Sequence, residues 1–187
     1  MKTERLLLRH WRNSDRPPFA RLNGDTRVME FLPCVLSEQE SNALVDKIEA
    51  HFQEHGFGLY AAEIQPDRHF IGYIGLSVPT FHAAFTPCVE IGWRLGREYW
   101  GQGFATEGAR EIVRHAFEEL NLQELVSFTV PANARSLKVM RKIGMTYDPK
   151  DDFDHPRLPV GHPLRRHVLY RLKHGFGALG VGRSEGA

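Results

Sequence analysis

"REYWGQGFATEGAREIVRHAF", residues 97–117, places two glycines one residue apart at the mouth of a long amphipathic segment. Glycine inside a helix costs roughly 1 kcal/mol against alanine, so Gly101 and Gly103 belong to the turn before a helix. From Ala105 onward, Ala109, Ile112, Val113, Ala116, Phe117 and Leu120 make one helical stripe. Glu107, Arg110, Glu111, Arg114 and Glu118 face away from it. The glycines therefore mark a helix N-terminus, where unpaired N–H groups and the positive end of the helix dipole attract an anion. A tight strand-to-helix turn without a ligand accounts for the same glycines, so the flanking sequence must decide.

Strands and helices alternate on both sides of the turn. "ERLLLRHW" (4–11) reads as a first strand, and "NSDRPPFARLNGD" (13–25) as a short helix with cap residues and a proline pair. Residues 37–56 read as a strong helix, because Ser37 and Glu40 form a capping-box pattern and Gly56 stops it. "FGLYAAEI" (57–64), "HFIGYIGLSVP" (69–79) and "PCVEIGWRL" (87–95) read as a strand meander. After the glycine helix come a strand at 124–130, a helix at 134–144 and a closing strand near 167–172. There is no internal repeat. This alternation predicts an α/β or α+β sandwich, with the glycine turn leaving a central strand.

Bulk composition narrows the function classes. Hydrophobic residues are 42% and charged residues 25% of the 187, as in ordinary soluble domains. A net charge of +1 gives no electrostatic reason to expect nucleic-acid or membrane binding. No apolar run approaches the ~18 residues of a membrane span, and the N-terminus does not read as a signal peptide. Cys34 and Cys88 stand far apart without metal spacing and read as reduced thiols of a cytoplasmic protein. The expected organisation is one domain over residues 1–174. Residues 175–187, with five glycines in thirteen, read as a flexible tail.

Two common phosphate binders fit poorly. No G-x-x-x-x-G-K-[ST] run exists, and Thr106 stands where a dinucleotide fingerprint needs its third glycine. The run "YWGQGFATEG", after "VEIGWRL" and before "NARSLKVMRKIGM", instead resembles the GNAT superfamily of acyl-CoA-dependent N-acetyltransferases. It is most similar to the branch with the ribosomal-protein N-terminal (alanine/serine) acetyltransferases, from residue 3 to about residue 172. The resemblance implies a central, mostly antiparallel twisted sheet of about seven strands, splayed in the middle and flanked by about four helices. It also implies transfer of an acetyl group from acetyl-CoA, a co-substrate, to a primary amine on a protein N-terminus or a small molecule. The transfer would be direct, in a ternary complex, without metal. A homodimer is left open.

The resemblance assigns residues to that chemistry. Gly101, Gln102, Gly103, Phe104, Ala105 and Thr106 would hold the pyrophosphate through a nest of amides and the helix dipole. The family's turn often opens with Arg or Gln; this chain carries Trp100 before the glycines, at the loss of one favourable charge. Strand backbone around Trp93, Arg94 and Leu95 would pair with the pantetheine arm, as a β-strand pairs with an edge. Gly92 is a candidate bulge between the splayed strands. Asn133 is a cofactor contact, a plain helix N-cap, or both. Many members carry a tyrosine acid where this chain has Met140, so the role of stabilising the departing thiolate passes to Ser136. As a first-turn residue, Ser136 also has an ordinary structural explanation.

Glu90 alternates away from Val89, Ile91, Trp93 and Leu95, which places it beside the thioester slot as the candidate base. At an ordinary pKa of ~4.3 it cannot readily deprotonate an α-ammonium of ~8, so it needs a pKa raised by burial or a water chain. A glutamate paired with an arginine in the sheet is the competing reading. Lysine, at ~10.4, would be a harder acceptor still. Cys88 has Glu90's parity, which keeps a covalent acyl-cysteine route open. His155, His162 and His167 lack zinc spacing and lie in a proline-broken segment expected to close the acceptor pocket, with Arg165 and Arg166 as a solvated pair. Two other function classes share these features: a non-catalytic acyl-CoA sensor, and an unrelated nucleotide binder.

Overall fold

The capping box at Ser37 forms as its spacing predicts in the computed structural model, which describes residues 1–175. The Glu40 amide donates to Ser37 Oγ at 3.3 Å and the Ser37 amide to Glu40 Oε2 at 2.8 Å. Helix α2 (Glu38–His55) starts there and ends on Gly56 in the left-handed region. Helix α1 (Arg16–Gly24) precedes it behind a 3-10 turn at Asn13–Asp15, and the two helices pack together. The strands are β1 (Leu6–Arg9), β2 (Leu59–Ile64), β3 (His69–Ser77), β4 (Glu90–Leu95), β5 (Glu124–Thr129), β6 (Thr146–Tyr147), β7 (Phe153–Asp154) and β8 (Arg166–Lys173). Helix α3 (Phe104–Arg114) follows β4, and α4 (Ala134–Lys142) follows β5. Of the tail expected at 175–187, residues 176–187 lie outside the described residues.

The sheet runs β1-β2-β3-β4-β5-β8-β6, with β7 also paired to β8. Every pairing is antiparallel except β4 with β5. This is the mixed α/β sheet with four helices that the resemblance implied. Leu6, Ile74, Ile91, Ile112 and Leu125 are fully buried in its core. Gly108 of α3 lies against the Ile74 and Leu6 side chains, so α3 covers that face. Phe19 of α1 meets Tyr73 on the opposite face, with ring centroids 6.0 Å apart.

Three details differ from the sequence reading. The glycine helix is α only to Arg114, and His115–Glu119 widen into a π-turn before Leu120. Strand β4 begins at Glu90 rather than at residue 87. Strands β6 and β7 were not foreseen, because two residues show no alternation.

Gly75 sits where strands come too close for a side chain. A Cβ there would lie 2.2 Å from the Gly58 carbonyl oxygen and 2.7 Å from Leu59 Cα, both backbone atoms that cannot swing aside. Gly75→Ala is expected to lower Tm by roughly 5 °C or more, measured by differential scanning calorimetry.

Candidate active site

Gly101 and Gly103 have φ of +75° and +88°, values that side-chain-bearing residues rarely adopt. Gly103 is the N-cap of α3, and no side chain caps the helix, so the amides of Phe104, Ala105 and Thr106 are presented at its open end. A Cβ on Gly101 would meet nothing within 4 Å, so the space over the turn is free. An anion fits this cradle on geometry alone. The Gln102 side chain does not face it; its amide donates to the Glu98 carbonyl at 2.6 Å and ties the turn to itself.

Residues that the sequence reading missed hold the turn from behind. Arg5 Nη1 donates to the Gln102 carbonyl at 3.0 Å, and its guanidinium lies 4.5 Å over the Phe104 ring. Arg5 Nε donates to Glu107 Oε2 at 2.7 Å, and Thr3 Oγ1 and the Arg5 amide donate to Glu107 Oε1 at 2.6 and 2.8 Å. Burial alone would raise the Glu107 pKa, but these hydrogen bonds hold it below the usual value. Glu107 is thus an anchor to the N-terminal strand, not a solvated residue of the outer face. No local signal links positions 102 and 104 residues apart. Arg135, in the first turn of α4, places its guanidinium 4.2 Å over the Trp100 ring and reaches Glu30 at 2.9 Å.

Strands β4 and β5 pair at Glu90 with Val126 and nowhere else among the described residues. The Val126 amide donates to the Val89 carbonyl at 2.9 Å, and beyond that point the strands part. The Gly96 amide donates to Ile71, so antiparallel alternation turns the backbone of Arg94 and Gly92 toward β3. Trp93 and Leu95 turn theirs toward the gap. The Leu95 carbonyl is taken by Trp100 Nε1 at 2.9 Å, which leaves the Trp93 amide and carbonyl and the Leu95 amide there. Arg94 therefore has its main chain engaged with β3, and its side chain stands on the α1 face.

On the α4 side of the gap, Asn133 caps the helix through Oδ1, which accepts from the Ser136 amide at 3.3 Å. Its Nδ2 donates to Thr129 Oγ1 at 3.0 Å and to Ser136 Oγ at 3.1 Å. Because Ser136 Oγ accepts from Asn133, its own hydroxyl proton is free to donate into the cleft. Met140 lies one turn on, buried, in the cleft floor.

Glu90 lines the same cleft from β4. Burial pushes its carboxyl up to about 8, against a smaller lowering by the Ser77 hydroxyl, which donates to Oε2 at 3.4 Å. Among the described residues no arginine bonds it, so the paired-glutamate alternative finds no support there. Burial, and then the nearby Glu90 charge, push the Cys88 thiol up to about 11. The cavity has a volume of about 490 Å³ and takes in the glycine turn, the gap and the first turn of α4.

The segment after β6 folds back on the sheet. His155 and His167 pack with Phe81, Phe85, Phe128 and Phe153, and burial lowers the pKa of both imidazoles. Phe128 is shared between this cluster and the cavity. Arg165 and Arg166 pair with Asp154 at 3.3 and 3.5 Å; Arg166 is solvent-exposed, as expected, and Arg165 is half-buried. Among the described residues, no three His, Cys, Asp or Glu side chains are placed to hold a metal, and no helix is long and apolar enough to cross a membrane.

A family model for the acetyltransferase (GNAT) domain matches residues 5–146. The chain belongs to the GNAT acetyltransferase family. As a member it is an acetyl-CoA-dependent acetyltransferase, and the open cradle at Gly101–Thr106 suits the pyrophosphate of that donor. The acetyltransferase is 30% identical over 172 residues to the uncharacterised N-acetyltransferase YnaD of Bacillus subtilis, covering 91% of this chain and 94% of that one. A GNAT-family acetyltransferase structure from Bacillus anthracis superposes with a TM-score of 0.76 at 25% identity, over 92% of this chain and 97% of the other. The ribosomal-protein-S5-alanine acetyltransferase of Vibrio fischeri shares the fold, with a TM-score of 0.71 at 17% identity over 95% and 97% of the two chains.

Gly103→Val puts a β-branched side chain at φ +88°, with its Cβ 3.3 Å from Arg5 Nη2, so the turn that shapes the anion cradle must rearrange. Isothermal titration is expected to show no measurable CoA binding, while the circular dichroism spectrum stays close to wild type.

Proposed function

We propose that the enzyme transfers the acetyl group directly to a primary amine, of a protein N-terminus or a small molecule, held with acetyl-CoA in one ternary complex. The observation that carries this reading is a single cavity lined by Glu90 on one wall and by the Thr129–Asn133–Ser136 chain on the other. The amine nitrogen attacks the thioester carbonyl, the C–S bond breaks, sulfur leaves with the electron pair, and the second proton, which the nitrogen sheds on becoming an amide, goes to the departing thiolate. Glu90 accepts the proton that the ammonium must lose. A carboxyl near 8 matches an α-amine of ~8, whereas transfer from a lysine at ~10.4 stays uphill. Ser136 donates its free hydroxyl hydrogen as charge grows on sulfur; a serine is too weak an acid for full proton transfer, so stabilisation is its role.

Direct attack is favoured over an acyl-cysteine because a thiol near 11 is seldom the thiolate that a covalent route needs. Cys88→Ala is expected to retain most of the wild-type kcat in steady-state assays, and a fall to background would overturn the direct route. Ser136→Ala is expected to lower kcat by roughly 10- to 100-fold with little change in acetyl-CoA affinity, because the donor acts only as charge develops.

The pH dependence has a definite sign. Glu90 works when ionised and its pKa is about 8, so kcat falls as pH drops below that value and levels off above it. The profile is best measured with an acceptor whose own amine pKa is below ~7, so that acceptor ionisation does not mask the limb. Glu90→Gln is expected to lower kcat and flatten the rise.

A further inference from the structure

Along the α1 face of β4, Glu90, Gly92 and Arg94 follow one another as an acid, a bare backbone step and a cation. A Cβ on Gly92 would find only Glu90 Oε1, at 4.0 Å, so a ligand has room between the two charged groups. Arg94 lines the cavity with Glu90. Its Nη1 donates to Asn23 Oδ1 at 2.7 Å, and its guanidinium lies 5.4 Å over the Tyr73 ring. Asn23 is fully buried, and its Nδ2 donates to the fully buried Ser41 hydroxyl at 2.9 Å, which turns the amide oxygen toward Arg94. The arginine is therefore aimed, from a rigid helical support, along the same face as the candidate base.

What it lacks, among the described residues, is a counterion. Arg5, Arg9, Arg16, Arg94, Arg165 and Arg171 are the partly buried arginines among the described residues. Each of the others pairs with a carboxylate, at 2.6 to 3.3 Å. Arg94 has a neutral amide and a ring. A half-desolvated guanidinium with donors to spare gains most from an incoming anion, and a carboxylate matches its planar fork. Among the described residues Glu90 is the one acid lining the cavity, so a polycationic acceptor finds no second partner among them.

We propose that the acceptor amine carries a carboxylate and that Arg94 selects for it, either on a free amino acid or on an acidic residue beside a peptide N-terminus. This rests on the cavity being the amine site. Four residues of strand set the Cα atoms of Glu90 and Arg94 about 13 Å apart, and Glu90 Oε1 leans along the strand to within 4.0 Å of a Cβ position on Gly92, so a short ligand with its amine at Glu90 extends toward Arg94.

The test is acetylation of matched pairs by the full chain: 4-aminobutyrate with butylamine, β-alanine with its amide, and dipeptides bearing Asp or Glu with the same dipeptides bearing Asn or Gln. The carboxylate member is expected to win by roughly 10- to 100-fold in kcat/KM, mostly through KM. The arm that shows the preference identifies the free or the peptide source. Arg94→Met should erase the preference by bringing kcat/KM of the carboxylate member down to that of its neutral partner, and Arg94→Lys should keep part of it. Equal rates within every wild-type pair overturn the proposal but leave amine acetylation standing, and this needs no variant to fold. A preference for a phosphate-bearing amine over every carboxylate also overturns it. Acetylation of no amine at all overturns the amine-site reading itself and this proposal with it.

Discussion

Strands β4 and β5 touch at Glu90 and Val126 and then separate, and the working parts of the enzyme are arranged around that parting. Each strand can leave its neighbour because its other edge is fully paired. Strand β4 keeps a six-pair register with β3, and β5 keeps one with β8. The parting creates a free strand edge inside the sheet, where the Trp93 and Leu95 backbone would otherwise be paired. Exposed strand edges invite an extended, amide-bearing partner, and the arm of acetyl-CoA is one. The Glu90–Val126 pair also places the proposed base at the apex of the gap, on the strand that then runs on into the glycine turn.

The charges divide by face. On the donor side the helix end, Arg135, Lys138 and Lys142 are all positive, as an acyl donor with several phosphates requires. On the opposite face stand Glu90 and Arg94. Burial accounts for the behaviour of both Glu90 and Cys88, since desolvation disfavours the ionised form of each. In the carboxyl this brings the pKa toward that of an amine. In the thiol it takes the group away from reactivity.

The glycine turn was legible in the sequence because its signal is local: two glycines, a preceding strand and an amphipathic helix lie within one continuous run. The Ser37–Glu40 capping box was legible for the same reason. Asn133 and Ser136 were assigned through the family resemblance, and the free hydroxyl proton of Ser136 emerged only from the donor–acceptor order of the hydrogen bonds. Strand parity put Glu90 on the correct face of β4, but its raised pKa needed the packed surroundings. Glu107 was misread as a solvated residue because Thr3 and Arg5, which claim it, come from the other end of the chain.

The sequence by itself determined the order of the longer elements, the glycine turn and the helix starts, since these follow from φ preferences, capping and apolar period over a few neighbouring residues. Tertiary structure decided where the sheet opens, which arginines have partners and which carboxyl is desolvated. Those properties depend on contacts between residues far apart in the chain. Arg94 shows the difference: its identity and strand position are readable from the sequence, but its lack of a counterion is visible only once every neighbour is in place.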